Sequence, residues 1–148
     1  MFFRWLLVIH NVFRWVVLLA LLWGLFRGYR GWRGKNPWVD TDRRVGMLLT
    51  ISYDVQFLLG LILALISPVI SAAFSNFGTA MQVSDYRFFA VEHMPMMLVA
   101  LIIAHVTSVL ARKAPDDALK HRRAALGYTL VLVITALAIP WFRPLLRF

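Results

Sequence analysis

Four apolar runs, at about 2–26, 45–70, 88–110 and 124–142, take up most of this chain. Each is close to the ~20 residues with which an α-helix crosses a ~30 Å hydrocarbon layer. A helix closes all of its own backbone hydrogen bonds, as lipid requires, so the runs predict helices and not isolated strands. The expected fold is all-α: a four-helix transmembrane bundle forming a single domain over residues 1–148. With 61% hydrophobic residues and a mean hydropathy of +0.72, the chain lies above the roughly 45–50% apolar share of soluble domains. No Ala-x-Ala cleavage pattern follows the first run, which is therefore expected to persist as a helix.

The formal charge of +9 would suggest a nucleic-acid partner in a polar protein. Here the basic residues fill short clusters between apolar runs, where they suit anionic headgroups, and no nucleic-acid role is expected. Arg27, Arg30, Arg33, Lys35, Arg43 and Arg44 occupy the first linker, and Arg112, Lys113, Lys120, Arg122 and Arg123 the third. The termini and second linker offer Arg4, Arg87, Arg143 and Arg147. The positive-inside rule then predicts cytoplasmic first and third linkers and both termini on the outer side of a multi-pass membrane protein. Trp5, Trp23, Trp32, Trp38 and Trp141 near the span ends read as an aromatic belt. Residues 71–85, with Phe74, Phe77, Met81 and Val83 among small polar residues, read as an interfacial segment with no helix assigned.

The ionisable and polar residues within the runs are His10, Asn11, Arg14, Asp54, Gln56, Glu92, His93 and His105. Such groups are costly in hydrocarbon and are functional candidates. Runs one and three enter from the same side, which puts His10 roughly 10 Å and His93 roughly 8 Å below their helix ends. Two level imidazoles on separate helices suit axial ligation of a haem, whose iron takes one nitrogen on each face of a flat ring. The competing use of each is an interhelical hydrogen bond. From His93 the same helical face continues through Met96 or Met97 to Ala100 and Ala104, and the second run offers Gly60 and Ala64, which would leave room for a macrocycle or serve ordinary helix contacts.

Without cysteine there are no thiolate metal sites and no Cys-linked haem. A carboxylate-bridged di-iron site needs several Glu-x-x-His pairs, and Glu92 and His93 are adjacent. Zinc would need further ligands at that depth, with Glu92 the one candidate.

Arg14 lies one turn beyond His10, and at roughly 16 Å depth it is level with Asp54 at roughly 20 Å and Gln56 at roughly 17 Å. An Arg14–Asp54 contact, direct or through Gln56 or water, is expected as a structural lock, with a proton path or a propionate clamp as the other uses. His105 is expected to bond Tyr128, with a quinone headgroup as a further acceptor, and His121 to sit solvated in the basic third linker. Pro95 should kink the third helix or mark its start.

The segments "IHNVFRW", "RFFAVEHMPMM" and "KHRRAALGY" and the closing "IPW" resemble those of small four-helix bacterial membrane proteins described as cytochrome b-like. The likeness implies a noncovalent heme b with His10 and His93 as ligands; by helical position, Arg14 one turn beyond His10 and Met97 and Ala100 on the face of His93 are the candidate cofactor contacts. It implies electron transfer in or beside a respiratory or photosynthetic complex of a bacterial inner membrane, the termini then periplasmic, with membrane lipids and other membrane subunits or a quinol as partners. The alternative is a cofactor-free structural or assembly subunit of a larger membrane complex. No broken helix pair or inverted repeat points to a transporter.

Overall fold

A computed structural model describes residues 1–143; Arg147, counted above at the outer end, lies outside the described residues. Among these the regular structure is helical throughout. Helix α1 (Phe2–Gly34) runs 33 residues, about 50 Å at 1.5 Å per residue, so its basic last turns extend past any ~30 Å layer. It ends at Lys35, in the left-handed region at φ 51°, whose N–H bonds the Gly31 carbonyl. Helix α2 (Asp40–Ile66) starts where the Asp42 carboxylate accepts the Val39 N–H at 2.9 Å, and it ends before Pro68. Ser67 caps the next short helix, α3 (Pro68–Ser75), and α4 (Phe77–Ala80) and α5 (Ser84–Arg87) follow. The interfacial segment is thus a chain of short helices, begun by caps at Ser67 and Asn76.

A six-residue π-helical turn, Phe88–His93, leads into α6 (Met94–Arg112), with Pro95 in its first turn. The proline lies just past the π turn within one continuous helical stretch, Ser84–Arg112. Asp116 caps α7 (Asp117–Ala138) by accepting the Leu119 N–H at 2.8 Å.

Helix α1 packs on α2 and α7, and α6 packs on α7 and α2, around Leu21, Leu49, Tyr53, Ala100, Ala104 and Val131. A buried hydrogen bond of 2.6 Å joins Tyr53 of α2 to Thr135 of α7. The α1–α7 contact is set by Gly24, Gly28 and Gly31. A Cβ on Gly28 would lie 2.9 Å from the Ala125 nitrogen, and one on Gly31 would overlap the His121 ring. Small residues at this spacing let two backbones approach closely where lipid gives no hydrophobic drive. Leu19, Leu22, Leu58, Leu65, Ile102 and Leu137 point outward and exposed, the reverse of a water-facing surface.

Three helical stretches are long and apolar enough to cross a membrane: Phe2–Gly34, Asp40–Ile66 and Ser84–Arg112. The chain is a multi-pass membrane protein by this measure. The fourth expected span falls short because α7 opens with Asp117, Lys120, Arg122 and Arg123, leaving its uncharged part at Ala124 to Ala138, about 22 Å.

The basic linkers meet at one end. Arg27 bonds the buried Asp42 at 2.7 Å, and Arg122 lies over the Trp32 ring. His121 is not solvated as expected: it is 2% exposed, set in the gap that Gly31 leaves and against Trp38. The α1 start, the short helices and the end of α7 gather at the opposite end, where Phe3, Pro68 and Pro140 share one cavity.

Candidate functional site

That cavity, of about 270 Å³, lies within α1, α2, the π turn and the end of α7. It is close to the roughly 300 Å³ at which small-molecule sites begin. His10, Asn11 and Arg14 line it from α1, Gln56, Gly60 and Ala64 from α2, and His93 and Met97 from the third stretch. Arg143 closes one side, paired with Asp85 and lying over the Phe89 ring at 4.6 Å.

The two imidazoles face each other with centroids 6.5 Å apart and planes 71° apart. His93 donates Nδ1–H to the Ala138 carbonyl at 2.7 Å, which fixes its tautomer and leaves the Nε2 lone pair available. A ligating histidine held through its other nitrogen by a backbone carbonyl is the usual outer support of a metal site. His10 is differently placed. The Gln56 amide donates to its Nε2 at 3.2 Å and to its backbone carbonyl at 3.0 Å. His10 Nδ1 and Gln56 Oε1 are both buried without a hydrogen-bond partner. Buried polar atoms are nearly always satisfied, so this pair marks a polar wall whose bonding is incomplete.

The rotation of the histidines has local causes. Gly60 has no side chain, and a Cβ there would lie 3.2 Å from His10 Cε1, so the glycine admits the ring. The π turn inserts an extra residue ahead of α6, and Phe88 and Phe89 pack around His93 at 5.9 and 6.2 Å.

Of the candidate contacts, Arg14 and Met97 line the cavity with the histidines. Ala100 does not: it is fully buried in the helix core with Ala104, one turn deeper than Met97 and turned toward the other helices. Asp54 pairs with His105 at 2.8 Å and not with Arg14, because two residues along α2 separate it from Gln56 by about 200° of rotation. Gln56 takes the place facing α1. Tyr128 lies beside Ser108 against Gly46 and leaves His105 to Asp54. Sequence reasoning gave Gln56 a depth and missed its role; the signal was its place on the face of α2 that also carries Gly60. Among the described residues no three His, Cys, Asp or Glu side chains come together as a metal site.

Comparison with family models, curated proteins and solved structures finds no match for this chain.

Proposed function

We propose that this chain is a heme b-binding integral membrane protein that carries electrons, with His10 and His93 as the axial ligands. The observation that carries the reading is the 6.5 Å separation of their rings across the cavity. Two metal–imidazole bonds of about 2 Å, plus about 1 Å from each nitrogen to its ring centre, give about 6 Å. Both rings also line the one cavity, which rings pointing apart would not.

The donor set fits. His93 presents Nε2 with its proton fixed on the far side by Ala138. His10 presents Nε2 by exchanging the Gln56 bond for a metal bond, while Gln56 keeps its second bond to the His10 carbonyl. Met97 and Ala64 supply apolar walls, and Arg14 and Arg143 are the cations placed to hold carboxylates. When bound, the haem supplies one-electron chemistry, and the protein sets its orientation and potential through the axial ligands and burial.

The four-span topology, with both ends outward in a bacterial inner membrane, belongs to the same proposal, as does the cytochrome b-like kinship. The basic clusters at one end support the orientation, and the burial of α7 between α1 and α6 supports its place within the membrane. A partner subunit or a quinol would complete the electron path, since a site near one face does not span the layer.

The test is the visible spectrum of the purified protein. A Soret band with split α and β bands on reduction is expected. Colourless, folded protein would instead establish the cofactor-free subunit.

A further inference from the structure

A second concavity lies away from the histidine pair, between α2 and α6 toward the basic end. It has a volume of about 170 Å³, enough for several waters at about 30 Å³ each. Its wall includes Thr50 of α2, Ser108 of α6 and the Tyr128 hydroxyl of α7, which reaches the groove because Gly46 has no side chain to block it. Arg43 and Arg112 stand at its basic mouth. At its inner end, about 10 Å from Arg112 along α6, is His105, whose Nε2 bonds Asp54 at 2.8 Å.

This ion pair is about half exposed, 45% for His105 and 50% for Asp54, on a surface otherwise made of Ile51, Val55, Ile102 and Val106. Charged groups inside membranes almost always turn inward or line a water-filled cavity. Here they do not face the protein interior, and a polar groove roomy enough for water leads to them. We propose that the α2–α6 groove is a water-filled inlet that brings protons from the basic end of the molecule to an exchange site at His105.

In the step, a bond forms between a proton and His105 Nδ1 as its bond to a groove water breaks, while Nε2–H stays on the Asp54 carboxylate. No electrons move. The other titratable groups facing the groove are Asp42, held by Arg27, Arg43, held by Asp40, Arg112 and Tyr128. None of the groove wall comes from α1. The inference rests on the chain lying in a membrane and not on haem, so it survives if no haem binds.

The natural chain has no cysteine, which makes single-cysteine labelling clean. Thr50→Cys and Ser108→Cys are near-isosteric changes in the groove, and Ile51→Cys and Leu110→Cys are outward-facing controls at similar depth. With the variants in lipid nanodiscs, a quaternary-ammonium methanethiosulfonate reagent should modify the groove positions at least about tenfold faster than the controls, since it needs a hydrated thiolate. Equal, slow labelling at all four would overturn the inlet. In the same nanodiscs, the ring N–H of His105 should exchange with bulk water, seen as a cross-peak between its ¹⁵N resonance and water, and Asp54→Asn should change that exchange rate. A fast-labelling groove with a His105 ring that does not exchange with water would overturn the exchange site.

Discussion

His93 Nδ1 donates to the Ala138 carbonyl at 2.7 Å, tying the π turn to the last residue of α7. The last four carbonyls of a helix have no partner within it, and here one is used to aim an imidazole. The same corner is closed by Arg143 against Asp85 and Phe89.

Deleting Ala90 should take the extra residue out of the π turn. With α6 anchored in the core by Ala100 and Ala104, the segment before the deletion turns by about 100° and carries Asp85 and Phe89 away from Arg143. Helix content by circular dichroism should be unchanged, and haem transfer to apomyoglobin should be several-fold faster. An unchanged transfer rate would deny this corner any part in closing the cavity.

Gly31→Ala and Gly28→Ala should both weaken the α1–α7 contact, by about 1–3 kcal/mol each as overpacking. Their rescue should differ. At Gly31 the obstacle is the His121 side chain, so His121→Ala should restore much of the loss; at Gly28 it is the Ala125 backbone, and no side-chain change should help. Unfolding in mixed micelles measures both.

The ion pairs of the basic end should be unequal. Asp42 is 5% exposed and bonds both Arg27 and the Val39 N–H, so Arg27→Ala strands a buried carboxylate and should cost toward 3 kcal/mol, about the lower figure for a broken buried pair. Asp40 with Arg43 and Arg44 is exposed, where solvent screens the pairs, and Asp40→Ala should cost far less. Equal losses in chemical unfolding would contradict the burial argument.

Gln56→Leu removes the amide that holds His10 Nε2 and leaves that buried nitrogen unpaired, while the His10 carbonyl keeps its bond within α1. Stability should fall by about 1–3 kcal/mol, the cost of an unsatisfied buried group. Haem content per chain should hold or rise, since a competitor for the ligand nitrogen is gone. A sharp fall in haem content would make Gln56 a required support of the bound state.

The long helices were legible because lipid demands apolar runs of one length, and the level of His10 and His93 followed from the constant helical rise. Rotation about the axis was harder to read. Asp54 and Gln56 share a depth but face opposite ways, so depth alone drew Arg14 to the wrong partner. Ala100 was placed by periodicity from His93, and the contact of α6 with α2 and α7 turned that position into the core. The burial of His121 was written in Gly24, Gly28 and Gly31, a small-residue stripe that makes a hole for a large side chain. The π turn had one signal in the sequence, Pro95, whose missing N–H frees the Val91 carbonyl inside the turn; the proline showed that the helix is irregular there but not that an extra residue enters.

The most direct test of the paired-imidazole site replaces each of the four histidines in turn by alanine and records the spectrum of the purified protein. His10→Ala and His93→Ala should each lose the six-coordinate low-spin haem signal, while His105→Ala and His121→Ala should keep it. A wild-type protein with no haem, or one whose signal survives the loss of His10 and of His93, would contradict the account.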